Sequence, residues 1–325
     1  MQKANRLQHG GIMANYQCNA ACRHCLYGCS PDWGDDYISA ENAGEVCRLL
    51  VKGGCRSVHI GGGEPFLNFE GLLDLLKTAR RAGIRVEYVE TNGFWASDEA
   101  QARRYLDALE DAGGNALCIS LDPFHAEYVP FALPLRLAEI CRKTGFGHFL
   151  WQERFLQQLA NVTPTKAHNR AALEEQISAD YILDTARRYG IGMGGRAVNI
   201  EREYSQPKPL GSLLENSPCR DLLSTGHFHV DYLGRFIPPG CTGIAIPLAE
   251  VVEGIPEGKY PAFDALTSGG AASLLEYAKG RGFVPEAEYT SGCSLCFFTR
   301  KWLSENGSCP ELEPKHYTES LNYYD

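Results

Sequence analysis

Three cysteines lie within a short stretch near the amino end of the chain. Cys18, Cys22 and Cys25 are separated by three and then two residues, a spacing at which thiolates can converge on one soft metal centre. Three thiolates would leave one iron of a [4Fe–4S] cluster open to an exchangeable ligand. A structural zinc ion would instead need a fourth ligand close by, which Cys29 or His24 could supply. The stretch therefore predicts a metal centre, with an iron–sulfur cluster and zinc as the alternatives.

A glycine-rich stretch follows a predicted strand at residues 56–60 and reads Gly61-Gly62-Gly63-Glu64-Pro65. Glycine tolerates backbone angles that other residues avoid, and it lets backbone groups approach a ligand closely. Taken alone, the stretch could also be a flexible loop between a strand and a helix. Its position one strand–helix unit after the cysteines links the two motifs.

The pattern C-x3-C-x2-C and the GGE triplet together resemble the signature of the radical S-adenosylmethionine (radical SAM) superfamily. His24 stands where many members carry an aromatic residue. The resemblance implies that the three cysteines hold a [4Fe–4S] cluster whose open iron binds the amino and carboxylate groups of SAM. It also implies that the backbone of the three glycines and the side chain of Glu64 hold the amino group of SAM.

The same resemblance implies the chemistry of the site. A reduced [4Fe–4S] cluster would give one electron to SAM, which would yield methionine and a 5′-deoxyadenosyl radical. That radical would abstract a hydrogen atom from the substrate. A flavodoxin or a ferredoxin would supply the electron. The chain is therefore expected to be a radical SAM iron–sulfur enzyme.

Alternating strand and helix segments position these motifs. Strands are predicted at residues 11–17, 56–60, 85–90, 115–122, 146–152 and 191–197, and helices with an apolar stripe lie between several of them. Such an alternation favours parallel strands joined by crossover helices. Six units fall short of the eight units of a closed barrel. We therefore expect an α/β fold, with an open, partial (βα)6 TIM-like barrel as a radical SAM core over residues 11–205.

Polar residues fall at the C-terminal ends of these strands, where α/β folds build their sites: Asn92, Ser120, Asp122 and Arg196. Ser120 and Asp122 share one face of their strand because side chains alternate. By the resemblance, these residues would contact SAM, and Arg196 would pair with its carboxylate. Asn92 and Asp122 could instead be turn residues, and Arg196 a solvated strand end.

The strand–helix alternation stops near residue 205, and the composition shifts towards glycine, proline and cysteine. A β-hairpin is predicted over residues 227–237, and a helix follows near residues 270–280. His227 and His229 share one face of the first hairpin strand. They could serve a metal, although a surface edge is the commoner arrangement. We expect a small cysteine-rich α+β region over residues 206–325.

Five cysteines lie in this region: Cys219, Cys241, Cys293, Cys296 and Cys309. A hairpin between two cysteines, then a helix, then a C-x2-C pair resembles the auxiliary-cluster domain called Twitch, the shorter relative of the SPASM domain. The resemblance implies one auxiliary [4Fe–4S] cluster bound by the first four cysteines. Cys309 is the alternative to any of them, or a free thiol. A four-cysteine zinc site is the other interpretation.

Composition and charge narrow the class of protein. The chain has 325 residues, a formal net charge of −9 and 13 cysteines. The acidic balance argues against nucleic acid as the main partner, and no apolar run reaches the roughly 18 residues that span a membrane. No signal-peptide segment is apparent. We therefore expect a cytoplasmic protein whose cysteines serve metal or redox chemistry rather than disulfides.

The substrate is the feature that the sequence determines least. Few residues precede the first predicted strand, so no leader-peptide-binding domain is expected there. This organisation resembles compact peptide-modifying radical SAM enzymes, including peptide epimerases and thioether-forming maturases. If Cys219 or Cys309 is unligated, its thiol could donate a hydrogen atom to a substrate radical. A small molecule in cofactor or natural-product biosynthesis is the alternative substrate, and a non-catalytic iron–sulfur electron carrier or scaffold is the second alternative function.

Overall fold

The computed structural model describes residues 6–190, 194–215, 217–307 and 309–323. Its strands are β1 (Gly10–Met13), β2 (Ser57–Gly61), β3 (Arg85–Thr91), β4 (Ala116–Ser120), β5 (Gly147–Trp151), β6 (Lys208–Pro209), β7 (Phe228–Val230), β8 (Arg235–Ile237), β9 (Ile246–Pro247) and β10 (Glu288–Tyr289). Its helices are α1 (Ala40–Lys52), α2 (Phe69–Arg81), α3 (Glu99–Ala112), α4 (Pro123–Ala126), α5 (Ala132–Thr144), α6 (Phe155–Gln158), α7 (Arg170–Gln176), α8 (Tyr181–Tyr189), α9 (Ala197–Tyr204), α10 (Leu248–Glu253), α11 (Pro261–Lys279), α12 (Gly292–Glu305) and α13 (Pro314–Leu321). Short 3-10 helices lie at Pro65–Asn68, Leu210–Leu213 and Arg220–Leu223. Among the described helices, none combines the length and apolar character needed to cross a membrane.

An eight-stranded sheet organises the described chain, in the order β5-β4-β3-β2-β1-β7-β8-β9. Strands β1 to β5 and β7 run parallel, whereas β8 is antiparallel to both of its neighbours. A separate two-stranded sheet joins β6 and β10. The predicted α/β class, with the parallel sheet of a partial barrel and a cysteine-rich C-terminal region, is confirmed.

The helices that follow the first three strands each bury one apolar face. Ser39 caps α1 by accepting a hydrogen bond from the amide of Asn42, and Val46, Leu49 and Leu50 form its buried face. These side chains share one apolar core with the outward-facing residues of the sheet. Each buried side chain of this size stabilises the fold by about 1.5–3 kcal/mol. The helices therefore pack firmly on the outer face of the sheet, and the inner face of the sheet stays available for polar groups.

The inner face of the sheet carries the residues that alternate with the core. In β4, Leu117 and Ile119 are buried in the apolar core. Cys118 and Ser120 point to the other side, where they line a cavity. The alternation along a strand predicts this division, and it makes the inner face the place to look for a site.

The predicted sixth strand at residues 191–197 is wrong over its described part. Residues 195–196 form a turn, and Ala197 begins α9; residues 191–193 lie outside the described residues. A Cβ at Gly195 would lie 2.0 Å from the backbone oxygen of Leu26, so this segment packs against the cysteine loop and not against the sheet. The sixth parallel strand is β7, which pairs with β1 through Gly10 and Phe228. This pairing satisfies backbone groups of β1 that would otherwise be buried without partners.

The predicted hairpin is confirmed, but it extends the main sheet. Strands β7 and β8 pair antiparallel, with Gly234 at a positive φ of 76° in the turn between them. Because β7 also pairs with β1, the sheet continues across residues 205 and 206. The division of the chain at that point stays a prediction.

Candidate active site

The cysteine loop begins shortly after β1 ends. The amide of Cys18 donates to the oxygen of Ser30 at 3.1 Å, and the amide of Cys25 donates to the oxygen of Cys22 at 3.0 Å. Cys18 and Cys22 are buried, and Cys25 is half-buried. Burial, followed by the charge of Cys22, raises the pKa of Cys18, and all three thiols line one cavity. The structure therefore brings the three predicted ligands together as a set of soft donors that suits a [4Fe–4S] cluster.

Arg196 binds the backbone of the cysteine loop on the side away from the cavity. Its side chain is fully buried, and its terminal nitrogens donate to the oxygens of Cys22 at 2.9 Å and Cys29 at 3.1 Å. One of them also reaches the oxygen of Glu319 at 3.2 Å. Arg196 does not line the cavity. The structure therefore replaces both earlier interpretations, a contact with SAM and a solvated strand end, by a role in organising the cysteine loop.

Replacing Arg196 with Met should loosen the cysteine loop. The variant keeps most of the side-chain volume but removes three hydrogen bonds from a charged donor, each worth about 1.5–3 kcal/mol. We expect iron retained after gel filtration to fall several-fold and the thermal midpoint to fall as well. Arg187→Met, which removes an exposed arginine of α8, is the matched control. Equal iron retention in the two variants would contradict this role.

The glycine-rich loop packs against the residues that lead into the cysteines. The amide of Gly63 donates to the oxygen of Asn15 at 3.0 Å, and that of Glu64 donates to the oxygen of Gln17 at 2.9 Å. A Cβ at Gly63 would lie 2.0 Å from the Gln17 oxygen, and one at Gly62 would lie 2.4 Å from Asn15 Oδ1. The absence of side chains is therefore what permits the two loops to touch.

The carboxylate of Glu64 joins this loop to the end of β3. It is buried and accepts hydrogen bonds from the Phe66 amide at 3.1 Å, Thr91 Oγ1 at 2.9 Å and the Asn92 amide at 2.7 Å. Burial raises the pKa of Glu64 to about 7, although these hydrogen bonds oppose the shift. The carboxylate thus aligns two neighbouring strand ends. A contact between Glu64 and the amino group of SAM stays a prediction.

The polar residues predicted at the strand ends fall into two groups. Asn92 and Ser120 line the cavity, and Asn92 Nδ2 donates to Asn19 Oδ1 of the cysteine loop at 2.7 Å. Asp122 does not line the cavity, because β4 ends at Ser120 and the chain turns. Its carboxylate caps α4 and accepts a hydrogen bond from Tyr189 at 2.8 Å. For Asp122 the structure therefore supports the turn interpretation and not a contact with SAM.

A cavity of about 400 Å³ lies where these elements meet. The three cysteines, the loop residues Gly62 and Gly63, and the inner-face side chains of the neighbouring strands line it. Small-molecule sites have volumes of about 300–1,000 Å³. The cavity is therefore large enough for a ligand such as SAM beside a cluster held by the cysteines.

Two residues of the cavity wall, Glu90 and Cys118, were not predicted as site residues. Both face the cavity, Glu90 from β3 and Cys118 from β4. Cys118 shares its face with Ser120, so the alternation along the strand could have identified it. Glu90 stands at the last position but one of its strand, and this place near the carboxyl end, where α/β folds build their sites, was the available signal.

Glu90 should make the stability of the protein depend on pH. Burial, followed by the charge of Glu64, raises the pKa of Glu90 to about 7. The side chain is nevertheless 42 % exposed to the cavity, so water there weakens the effect. An acid with a raised pKa in the folded state stabilises the fold at low pH and loses that contribution as the pH rises through the folded value.

Glu90→Gln should therefore gain in thermal midpoint relative to the wild type as the pH rises from about 5 to about 8. Above the raised pKa the difference should stay constant. Thermal unfolding at several pH values measures it, and Glu110→Gln, an exposed glutamate of α3, is the control. A difference that does not vary with pH would contradict the raised pKa.

Four of the five C-terminal cysteines come together. Cys293 and Cys296 lie in the first turns of α12, which Ser291 caps. A hydrogen bond from the Cys241 thiol, opposed by burial, lowers the pKa of Cys219 to about 6. The charge of Cys219 also contributes to raising the pKa of Cys293 and of Cys296. The predicted ligand set is therefore assembled in space, in a form that suits either an iron–sulfur cluster or zinc.

Cys309 lies apart from this set. It is buried and interacts with Tyr277, and neither Cys309 nor Cys219 lines the cavity. The positions of these two thiols therefore do not support the predicted donation of a hydrogen atom to a substrate. Gly240, which precedes Cys241, does line the cavity, so the four-cysteine set adjoins the site through this loop.

His24 and Cys29, the alternative ligands for zinc at the first loop, have different surroundings. The His24 ring stacks on Phe124 with centroids 5.1 Å apart, and burial lowers its pKa to about 4. The amide of Cys29 donates to Cys25 Sγ at 3.3 Å. A fourth thiol is thus present beside the three predicted ligands. Metal analysis distinguishes a [4Fe–4S] cluster at this loop from a zinc ion.

The fold and the site define an α/β protein whose cysteine loop follows the first parallel strand and contacts a glycine-rich loop after the second. Residues 14–151 match the family model of the radical SAM superfamily. This segment, which holds both motifs, is therefore of the radical SAM type, as the motifs predict.

Individual relatives match only part of the chain. The putative peptide biosynthesis protein YydG of Bacillus subtilis is 27 % identical over 133 residues, which are 41 % of this chain and 41 % of that protein. Molybdenum cofactor biosynthesis protein 1 of Homo sapiens is 28 % identical over 141 residues, 42 % of this chain and 19 % of that protein. The chain therefore spans less than half the length of these relatives.

Two solved structures are similar over more of the chain. Native anSMEcpe with bound AdoMet is 17 % identical with a TM-score of 0.40, over 72 % of this chain and 74 % of that chain. SuiB of Streptococcus suis bound to S-adenosylmethionine is 13 % identical with a TM-score of 0.37, over 84 % of this chain and 75 % of that chain.

Proposed function

We propose that this chain is an enzyme that cleaves SAM reductively and removes a hydrogen atom from a bound substrate. The observation that carries the proposal is that the cysteine loop, the glycine-rich loop and the ends of β3 and β4 line one cavity. SAM and a reduced [4Fe–4S] cluster, when bound there, supply a 5′-deoxyadenosyl radical. The chain contributes the thiolate ligands, the fixed glycine backbone, and Asn92 and Ser120 as polar groups on the wall. A flavodoxin or ferredoxin is the proposed electron donor.

Formation of 5′-deoxyadenosine is the direct test. The anaerobically reconstituted chain should convert SAM into methionine and 5′-deoxyadenosine when dithionite or a reduced flavodoxin is added. A non-catalytic electron carrier or scaffold would hold iron but form no 5′-deoxyadenosine. Its absence from fully iron-loaded protein would overturn the proposal.

An auxiliary [4Fe–4S] cluster at the C-terminal cysteines is the second part of the proposal. Its ligands would be Cys219, Cys241, Cys293 and Cys296. Arg300 is buried and forms a hydrogen bond with Cys296, and a positive charge beside a thiol favours the thiolate that binds metal. Since the loop before Cys241 lines the cavity, this cluster would lie near the substrate and could accept an electron from it.

Replacing Cys293 and Cys296 with Ala should remove about four irons per chain. Cleavage of SAM should persist, because the first site uses a different loop, whereas coupled conversion of the substrate should be lost. Cys309→Ala is the matched control, since Cys309 lies apart from this set. The wild type could instead contain one zinc ion that the double variant loses, with no change in iron. That result would establish a structural zinc site.

Strand β5 favours a peptide as the substrate. It is the last strand of the sheet and pairs with β4 alone among the described strands. Its side chains Phe149 and Trp151 are 40 % and 43 % exposed, and Trp151 also lines the cavity. An extended peptide can add to such an edge through backbone hydrogen bonds. The name of the Bacillus subtilis relative, a putative peptide biosynthesis protein, agrees with this proposal.

A small molecule is the second candidate substrate. The volume of about 400 Å³ also suits a small ligand. Other relatives are named GTP 3′,8-cyclase and molybdenum cofactor biosynthesis protein 1. Coupled turnover of a small metabolite, together with uncoupled SAM cleavage in the presence of every peptide tested, would favour this candidate.

A reaction in D2O separates the possible outcomes on a peptide. One deuterium at an inverted Cα, with no loss of hydrogen, indicates epimerisation through a thiol donor. Cys29 and Cys118 are thiols on the cavity wall that could serve. Loss of two hydrogens indicates oxidative formation of a crosslink or thioether, with the auxiliary cluster accepting an electron. Cys219 and Cys309 do not line the cavity, so Cys29 and Cys118 are the candidates for the thiol donor.

A further inference from the structure

Four histidines meet on the inner face of the sheet, around a glycine of β1. Gly11 pairs with His59 of β2 on one side and with His229, in β7, on the other. A Cβ at Gly11 would lie 2.3 Å from His59 Nε2 and 2.6 Å from His229 Cδ2. Because Gly11 has no side chain, the two rings lean over β1 from both sides, and their Nε2 atoms lie 3.1 Å apart.

His9 and His227 complete the group at the N-terminal ends of β1 and β7. The His227 ring stacks on His59, with centroids 5.2 Å apart and 11° between the planes. The His9 centroid lies 5.4 Å from that of His227 and 6.0 Å from that of His59. One ring nitrogen from each of these three histidines lies within 4.8 Å of the others. Small rotations would bring them to the distance of about 2.0–2.1 Å at which imidazole binds zinc.

One nitrogen of this group is buried without a hydrogen-bond partner. His59 is only 1 % exposed; its Nε2 faces His229, and its Nδ1 has no partner among the described residues. If the rings only packed together, the stacking and the contact between His59 Nε2 and His229 would be explained. The buried His59 Nδ1 would still lack a partner. Since buried polar atoms normally have partners, this nitrogen indicates a ligand.

The surroundings of the group favour a cation. Burial, followed by the neighbouring histidines, lowers the pKa of His59, and burial lowers that of His229 to about 3. A neutral imidazole ring offers a lone pair to a metal ion. Glu87 Oε2 lies 3.5 Å from His9 Nδ1, as in sites where a carboxylate orients a ligating histidine. Glu90 Oε1 lies 3.8 Å from His59 Nε2.

We propose that His9, His59 and His227 bind one divalent transition-metal ion of the zinc class at the floor of the cavity. Imidazole nitrogens suit such ions, and His229 fixes the His59 ring through Nε2. Three protein ligands leave a coordination position open. Because His227 lines the cavity, a water molecule or a carboxylate of a bound molecule can complete the coordination from there. The proposal uses neither cysteine set and does not depend on the radical chemistry.

Cobalt is the probe for this site. The whole chain is first loaded anaerobically with iron and sulfide so that the cluster-binding cysteines are occupied, and Co²⁺ is then added without SAM. We expect one equivalent to bind, with d–d absorption in the difference spectrum and without new sulfur-to-cobalt charge-transfer bands. Zn²⁺ should displace the Co²⁺.

Two variants identify the ligands. His9→Ala changes a partly exposed residue outside β1 and should therefore fold, and we expect it to weaken Co²⁺ binding at least about tenfold. His59→Gln should abolish binding if it folds. His148→Ala removes a histidine of β5 outside the group and should bind Co²⁺ as the wild type does. Unchanged affinity in His9→Ala, no bound Co²⁺ in the wild type, or binding only with new sulfur-to-cobalt bands would each overturn the proposal.

Discussion

Replacing Cys18, Cys22 and Cys25 together with Ala should lower the iron content from about eight to about four per chain and abolish reductive cleavage of SAM. The three thiols lie together on the wall of the cavity, and a cluster without protein ligands is not retained. The C-terminal set uses other loops and α12, so its irons should remain. Iron and sulfide analysis, the EPR spectrum of the reduced protein and the yield of 5′-deoxyadenosine measure the result.

Cys141→Ala is the matched control for the triple variant. Cys141 is a buried thiol on α5, and its replacement should change neither the iron content nor the cleavage of SAM. Cleavage that persists in the triple variant would contradict the ligand assignment. One zinc ion at this loop in the wild type, with no iron there, would establish the zinc site completed by Cys29 or His24.

Gly63→Ala should impair the site almost as strongly, although it removes no ligand. The added Cβ would lie 2.0 Å from the oxygen and 2.4 Å from the carbonyl carbon of Gln17. These are backbone atoms of the segment that leads into Cys18, so no side-chain rotation relieves the contact. Overpacking of this kind destabilises by about 1–3 kcal/mol or more. We expect cluster occupancy and SAM cleavage to fall at least about tenfold as the loops are pushed apart.

Gly44→Ala is the control for the glycine variant. Gly44 lies on the exposed side of α1, and a Cβ there meets nothing within 4 Å. The substitution should leave the cluster and the activity unchanged and should stabilise the helix by about 0.5–1 kcal/mol. If both glycine variants retained full activity, contact between the two loops would not be needed to form the site.

The triple cysteine variant and Gly63→Ala test separate requirements of the site. The cysteine variant removes the donors of the metal centre, whereas Gly63→Ala keeps every donor and changes only their position. Glu64 and Arg196 also position the site through supporting contacts. The carboxylate of Glu64 joins the glycine-rich loop to the end of β3, and the guanidinium of Arg196 binds the backbone of the cysteine loop. The site therefore depends on supporting contacts as much as on its ligands.

The sequence by itself determined the main motifs and their relative position. Cys18 and Gly63 follow consecutive parallel strands, and the carboxyl ends of such strands meet at one edge of a sheet. The buried faces of the first helices were also predictable, since Val46, Leu49 and Leu50 repeat at helical spacing. These features depend on local order along the chain, which a single sequence displays directly.

Only the tertiary structure decided which segment supplies the sixth parallel strand. The sequence predicts strand β7 as part of a hairpin but not its pairing with β1. That pairing satisfies backbone groups that lie far away in sequence. Arg196 was likewise assigned from a strand that does not form over its described part. Its true partners, the backbone oxygens of Cys22 and Glu319, are brought to it by the fold.

The histidine group shows the same division. The sequence shows His227 and His229 on one face of a strand, but nothing near them indicates a partner. His59 and His229 meet because β2 and β7 flank Gly11 in a particular register, and a shift by one residue would turn these side chains to the other face of the sheet. The residue types were determined by the sequence, whereas their convergence was decided by strand order and register, which depend on burial and hydrogen bonding across the whole sheet.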